Sequence, residues 1–552
     1  MKYRKIVVHG SLFTVLAWAA VGFAQQETGT PSLEDLLLQV PDPELDREIG
    51  IKKLEEFRAK GDKNEVKRLE SIFEMSDSVR RPNQLRLTLE EAIRRALANS
   101  YAIEIQSFNP AIETTRVVEA EAVFDAIFFT DIRNEKIDQP SGSQLTANTS
   151  DRFSSTYGVR KLLPTGAEVT GSYSLARFKT SLSFQQLNPE YRSTLSLVIN
   201  QPLLRGFGLD YNRYFINIRK NNKDISDLAF QRQIEDTLSQ VEQAYWRLVS
   251  ARRDIVITAR LQADFETIYR YIQSRQTFDA TPVQLNTTLA NLEGSRFEFI
   301  QKKAEVFNAE DRLILVMNDP TINLADDIEI IPETFPPLTR IEVDRLAEVQ
   351  IALDHRPEIR ERRLDVKNAE ISVGRAKNDE LPRLDLSVTS SMQGLAGTAD
   401  RSFDEVSRHR FISYVIGVSF EVPIGNRGPR AAHHRARLEL AQAKARQKWE
   451  MENTILEVNE AVRLIATRYD QIMPTFKTAQ AREREVDSII ARAERKDFNT
   501  LTNELNARRS LANARRTLIQ VMVDYNISII SLERAKGTLM GYDNVVLQTA
   551  GD

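Results

Sequence analysis

The side chains able to do chemistry are few. The only imidazoles are His9, His355, His409, His433 and His434, and cysteine is absent. No disulfide framework, thiolate zinc site, iron–sulfur cluster or cysteine nucleophile can be built from such a chain, and no cysteine is available to carry a lipid anchor. His433 and His434 are adjacent, so on a helix they diverge by about 100° and do not form the i, i+4 pair that binds metal. HExxH, GxSxG and phosphate-loop spacings do not occur. The 78 carboxylates lie among 75 lysines and arginines, the pattern of solvated helix faces. The residues predict no enzyme, no cofactor and no metal.

The elements that carry these side chains are long and repetitive. In 552 residues there are 21 glycines and 19 prolines, too few to interrupt helices often. A formal net charge of −3 and a sequence pI near 6.2 argue against a nucleic-acid partner. Lys2, Arg4 and Lys5 precede an apolar run from Ile6 to Val21, and Gly22-Phe23-Ala24 offers a small-x-small cleavage pattern, so residues 1–24 are expected to be a secretory signal peptide. Its removal would take the net charge to −6. No later stretch reaches the ~18 consecutive apolar residues of a spanning helix. A mature chain that enters a membrane must do so with strands.

The chain is a duplication. Ala96-Leu97-Ala98-Asn99-Ser100-Tyr101-Ala102-Ile103 aligns with Ala352-Leu353-Asp354-His355-Arg356-Pro357-Glu358-Ile359 at an offset of 256. Leu292, Phe299, Val306 and Leu313 align with Leu511, Leu518, Tyr525 and Leu532 at 219. The difference places 37 surplus residues in the first half, between Phe128 and Pro202. The organisation expected is a polar extension over 25–84, a first repeat over 85–318, a Pro-rich linker over 319–340, a second repeat over 341–541 and a loose tail over 542–552. Strands are expected at about 126–201 and 384–422, long helices at about 209–318 and 430–536.

Within each repeat two periods alternate. Leu384, Leu386 and Val388 alternate with polar residues, as do Tyr414, Ile416, Val418, Phe420 and Val422, and in the first half Leu195, Leu197 and Ile199. One apolar and one polar face is the pattern of a membrane barrel strand, although a soluble sheet with one wet face reads the same way. Leu163-Pro164-Thr165-Gly166 marks the turn of a hairpin inside the surplus segment. Four shared strands fall short of the ~8 a barrel needs, so closure would take several copies. Asn212 to Arg275 contains neither proline nor glycine, 64 residues that as one helix would span about 96 Å. Leu285, Leu292, Phe299, Val306 and Leu313 recur every seventh residue, and Ala290, Phe297, Ile300, Ala304 and Phe307 widen that stripe, which suits a barrel of helices. The alternative is a rod-like coiled coil.

Several segments together resemble the outer-membrane efflux protein family typified by TolC, over roughly residues 85–541. They are Leu87-Thr88-Leu89-Glu90-Glu91-Ala92 followed by Ala96-Leu97, the strand exit Asn200-Gln201-Pro202-Leu203-Leu204-Arg205-Gly206, its counterpart Val422-Pro423-Ile424-Gly425, and Tyr525-Asn526 with Leu532-Glu533-Arg534-Ala535-Lys536-Gly537-Thr538-Leu539. The resemblance implies a mostly α protein with a membrane β-barrel part: a homotrimer in the outer membrane whose strands form one barrel, continued by an α-helical periplasmic barrel. It implies a passive exit duct for efflux or type I secretion, in contact with outer-membrane lipid, a periplasmic adaptor (membrane fusion) protein and an inner-membrane transporter. Pro202, Gly206, Pro423, Gly425 and Gly428 are then strand–helix junction residues, since proline ends a ladder and glycine permits a tight turn. Arg275, Asp279, Arg495 and Asp497, at the helical hairpin tips, are by resemblance the periplasmic gate and adaptor contacts. The rival reading is a periplasmic coiled-coil or adaptor protein without a pore.

Overall fold

A computed structural model describes residues 6–8, 45–60, 63–140, 142, 146–182, 184–492 and 498–547. They fall into two compact units: a helical unit of Met1–Ser107, Ala229–Pro357 and Met451–Asp552, and a strand unit of Phe108–Leu228 and Glu358–Glu450.

The strand unit holds one six-stranded antiparallel sheet. Its strands are β3 (Ile127–Asp138), β4 (Thr149–Leu162), β5 (Glu168–Thr180), β6 (Glu190–Pro202), β8 (Arg383–Ala396) and β9 (Ile412–Glu421), neighbours in that order. The hairpin expected in the surplus segment is β4–β5. Leu163 and Ala167 close its turn through a 2.7 Å backbone hydrogen bond, and Gly166 supplies a φ of 92°. A short helix, α10 (Ala399–Ser407), joins β8 to β9 and lies over β6 and β8. Ser402 meets Ser193 at 2.8 Å between hydroxyls, and the rings of Phe403 and Tyr173 stack edge to face. Gly394 lies beneath the backbone of α10, where a side chain would not fit.

The duplication is visible element by element. Helix α3 (Leu89–Asn99) recurs 256 residues later as α8 (Arg345–His355), α4 (from Tyr101) as α9 (from Pro357), and β3 as β8. Further on, β6 and β9 end at Pro202 and Glu421, and the helices α7 (Pro282–Met317) and α12 (Phe498–Lys536) end at residues likewise 219 apart. The first repeat's surplus is therefore spent on one hairpin.

In the helical unit the same local rules set the helix starts. Thr88 accepts from Glu91 N at 3.2 Å to open α3. Thr281 and Gln284 form a capping box ahead of α7, with Pro282 in its first turn. The two longest helices, α6 (Tyr214–Ser274) and α11 (Arg427–Arg492), cross from one unit's sequence into the other's. Their shares of the helical unit pack with α7 and α12 around Phe265, Leu292, Phe476, Leu518 and Tyr525, all nearly inaccessible. The helix α11 continues through Pro474.

Three segments are more ordered than their composition predicts. The extension forms α1 (Leu45–Lys60), α2 (Lys63–Asp77) and β2 (Asn83–Leu87). Met75 and Val79 pack with Ile255, Val256 and Phe299, while Arg68 pairs with Asp264 at 2.6 Å. The Pro-rich linker contains a strand, β7 (Ile328–Pro332), parallel to β2. The tail contributes β10 (Val545–Leu547), which pairs with β1 (Ile6–Val8). The remainder of the expected signal peptide lies outside the described residues.

Candidate functional site

No group among the described residues could hold a metal ion, and the candidate site is a set of surfaces: the two faces of the sheet, the turns where strands become helices, and the hairpin tips. The pairing register decides the faces. Ile416, Val388 and Ile199 stand side by side across β9, β8 and β6, and Leu195 stands beside Tyr173, which stands beside Tyr157. All lie on one face, with Phe128, Ile132 and Phe420. Tyr414 and Ile416 are 71% and 72% exposed, more than the interior of a soluble sheet would leave uncovered. The opposite face carries Thr156, Ser174, Ser196, Ser391 and Ser387, the first two hydrogen bonded at 3.2 Å. The alternation read from the sequence thus runs across all six strands, interrupted by Arg177 on the apolar face and by Phe129 and Val415 on the polar one. Among the described residues no helix is long and apolar enough to cross a membrane.

The first junction is tightly interlocked. Pro202 closes the β6 ladder opposite Asp385. Gly206 (φ 86°) and Gly208 (φ 106°) then turn the chain into α5 (Leu209–Asn212) and α6. Gly206 N donates to Asn378 Oδ1 at 2.7 Å, Asn212 Nδ2 donates to both Gly206 O and Gly208 O at 2.9 Å, and Tyr211 OH donates to Asp379 at 2.8 Å. A Cβ on Gly166 would lie 2.5 Å from Gly206 O, so the turn of the β4–β5 hairpin fits here only as glycine. Asn212, Asn378 and Asp379 were not singled out in the sequence. The signal was present, because polar residues clustered just before Pro382 mark a loop.

The second junction is more open. Pro423 follows β9, Gly425 adopts φ 91° and Asn426 φ 43°, and Asn426 Nδ2 donates to Glu380 O at 2.8 Å. Gly428 is the second residue of α11 and has no positive φ, so it does not make the turn expected of it. Left-handed backbone is supplied by Gly425 and Asn426, because asparagine tolerates that region better than most residues.

At the first tip Arg275 and Asp279 bind each other. Arg275 Nε donates to Asp279 at 2.7 Å, a second guanidinium nitrogen reaches the other carboxylate oxygen, and Nη1 donates to Tyr271 OH at 2.7 Å. These hydrogen bonds hold the Asp279 carboxyl below its ordinary value and raise the guanidinium's. Phe278 between them is 87% exposed. Arg495 and Asp497 lie outside the described residues.

The reading of the carboxylates as solvated does not hold throughout. Arg252 on α6 is buried and donates to Glu310 at 2.6 Å and Glu329 at 2.9 Å, and Arg81 reaches Glu310 at 3.2 Å. Burial raises the Glu310 carboxyl's pKa even so, outweighing the arginines. From α12, Arg508 pairs with Asp264 at 2.7 Å and Arg516 with Asp254 at 2.6 Å. Periodicity cannot reveal such pairs, because their partners lie far apart in the chain. His433 meets Glu380 at 3.1 Å, and no cluster among the described residues could hold a metal.

With this geometry established, comparison with known proteins gives a consistent result. Residues 349–538 match the family model of outer membrane efflux proteins. The outer membrane channel CmeC of Campylobacter jejuni is 15% identical with a TM-score of 0.60, the match covering 84% of this chain and 87% of that one. A membrane protein of Pseudomonas aeruginosa is 17% identical with a TM-score of 0.61, covering 81% and 93%. The outer membrane channel MtrE of Neisseria gonorrhoeae, in its open state, is 15% identical with a TM-score of 0.57, covering 82% and 89%. No curated protein matches in sequence. The chain resembles the TolC-like outer-membrane efflux proteins and shares their fold of helical hairpins with a strand part.

Proposed function

We propose that this chain is the outer-membrane exit duct of an efflux or type I secretion system: a passive homotrimer, exported by its leader, with its sheet in outer-membrane lipid and its helices in the periplasm. The observation that carries this is the sheet's division into one mainly apolar face, exposed along β3 and β9 and covered by α10 over part of β6 and β8, and one face rich in hydroxyls. Such a sheet suits lipid outside and water inside. In lipid every backbone group must be paired, so the strands serve only as part of a closed barrel. An adaptor and an inner-membrane transporter would supply specificity and energy. On this reading the tips around Arg275, Asp279, Arg495 and Asp497 form the periplasmic gate and adaptor contact, and aspartates ringed at a pore mouth would favour cations. The Arg275–Asp279 pairing suits a local latch that shapes the tip.

The test is to purify the protein in detergent, count subunits and record conductance in a planar bilayer. A trimer with small, gated conductance that rises in the Asp279→Ala, Asp497→Ala variant supports the duct and its gate. A water-soluble species without conductance overturns the reading in favour of a periplasmic coiled-coil protein without a pore.

A further inference from the structure

The apolar face of the sheet is bounded by charge at both ends of its strands. On β5 this face runs from Val169 through Tyr173 and Leu175 to Arg177 and Lys179, and Lys161 of β4 stands beside Val169. Ten residues from the level of Lys161 to Lys179 make about 34 Å along the strand, at ~3.4 Å per residue. A strand tilt of 35–45° turns that into a height of about 26 Å, close to the ~25 Å apolar band of a membrane barrel. The two lysines therefore bracket the band. Arg177 lies two residues inside it, at the end away from the strand–helix junctions, with Phe153 and Tyr191 beside it on the neighbouring strands. Aromatic side chains at that level are the girdle that marks a lipid–water boundary.

The charge of Arg177 has no counterpart in the protein. Its Nε is buried without a hydrogen-bond partner, and neither Arg177 nor Lys179 donates a side-chain hydrogen bond or pairs with a carboxylate among the described residues. Asp151 stands across from Lys179 and makes no ion pair with it. On the opposite face, by contrast, Arg192 is paired with Glu190 at 3.4 Å. An unpaired guanidinium at the edge of hydrocarbon is costly unless it reaches an anion, and a long side chain at that depth reaches toward the headgroups.

We propose that Arg177 and Lys179 bind the phosphate of an outer-leaflet glycolipid, and that this contact anchors the rim of the sheet in the membrane; it rests on the outer-membrane duct reading above. The anion follows from the chemistry of the two side chains. A guanidinium presents its donors in a fork that matches phosphate oxygens, and the ammonium two residues along the same face adds a point charge. The lipid follows from the place. The site lies on the face that meets acyl chains, at the level where the apolar band ends, so its phosphate comes on a molecule whose chains lie against Tyr173 and Leu175.

The test uses the full-length protein purified in detergent, with native mass spectrometry of the intact assembly as the readout. The probes are diphosphoryl lipid A, the same lipid with its phosphates removed, and inorganic phosphate. The inference expects the phosphorylated lipid to be held about tenfold more tightly than the dephosphorylated one, the size of effect a lost charge-assisted bond gives. The Arg177→Gln, Lys179→Gln variant should lose that preference, Arg177→Lys should keep most of it, and Arg192→Gln, which removes a charge from the other face, should leave it intact. Equal retention of the two lipids by the natural protein overturns the site, and needs no variant to fold. An unchanged preference in the double variant does the same. Displacement of the lipid by inorganic phosphate at equal concentration would show a free-anion site and overturn the lipid assignment. Any of these results in a conducting trimer leaves the duct reading standing, whereas a water-soluble, non-conducting species removes both.

Discussion

The helical unit and the strand unit stabilise long, low-variety elements by different means. In the helical unit, charged side chains cross between elements: Arg252 reaches Glu310 and Glu329, Arg508 reaches Asp264, and Arg516 reaches Asp254. In the strand unit the fixing is concentrated at the turns, in the positive φ of Gly166, Gly206, Gly208 and Gly425 and in uncharged donors and acceptors such as Asn212, Asn378 and Asn426 that bond to turn backbone. The difference follows from the surroundings each unit must tolerate. Helices satisfy their own backbone and need side chains to set their mutual register. Strands have their register set by hydrogen bonds along their whole length, and only the reversals of direction are left to specify.

If that contrast is right, the largest single effect in the molecule comes from removing a buried charge. Arg252→Ala leaves Glu329 without its guanidinium and Glu310 with Arg81 alone, and breaking a buried pair in this way costs about 3–5 kcal/mol. The expected result is a sharply lower midpoint of chemical unfolding. Adding Glu310→Gln should cost less than the sum of the two single changes, because the charges act as a unit. Strict additivity would show that the pair contributes nothing beyond its separate parts.

The strand unit's counterpart is Gly166→Ala. It combines a left-handed backbone with a contact at 2.5 Å on Gly206 O, for a cost of about 2–5 kcal/mol. The first junction would have to open, and assembled protein recovered from membranes should fall accordingly. Full recovery with unchanged unfolding would mean that the junction yields more readily than its hydrogen bonds imply.

Between about pH 5 and pH 8 the stability of the helical unit should depend on pH. Burial pushes the Asp543 carboxyl up to about 7, with Glu533 adding to the effect, and burial beside Asp543 raises Glu242 well above its ordinary value. A carboxyl whose folded pKa exceeds its unfolded one binds its proton more tightly when folded. Its contribution is present in full below about pH 4 and is lost as pH rises through about 7. The helical unit is therefore expected to unfold more readily at pH 8 than at pH 5, and Asp543→Asn should flatten that slope. An unchanged slope in the variant would assign the dependence elsewhere.

How much of this could be read beforehand depends on whether the information is local. Alternation, turn residues and the duplication are written in neighbouring residues or fixed offsets, so the two faces of the sheet and the β4–β5 hairpin were legible. The parallel pairing of β2 with β7 and the Arg81–Arg252–Glu310–Glu329 cluster join residues far apart in the chain, and no periodicity announces them. Composition also misled there. A carboxylate among arginines looks solvated whether it faces water or a buried guanidinium.

The smallest effect tests the contrast at its finest. Gly425 and Gly428 stand three residues apart, and the sequence offered both as turn residues. Gly425 has φ 91°, Gly428 lies in the first turn of α11, and neither would meet an atom within 4 Å on gaining a Cβ. Sterics are thus equal and only backbone conformation separates them. Gly425→Ala should cost about 1–2 kcal/mol, because an L side chain is strained at positive φ. Gly428→Ala should stabilise by up to about 1 kcal/mol, because alanine loses less freedom than glycine on entering a helix. Opposite shifts in unfolding midpoint from the same chemical change would confirm that backbone angle, not glycine content, turns this chain from strand to helix. Shifts of the same sign would mean that tightness at the second junction comes from groups around it, as at the first.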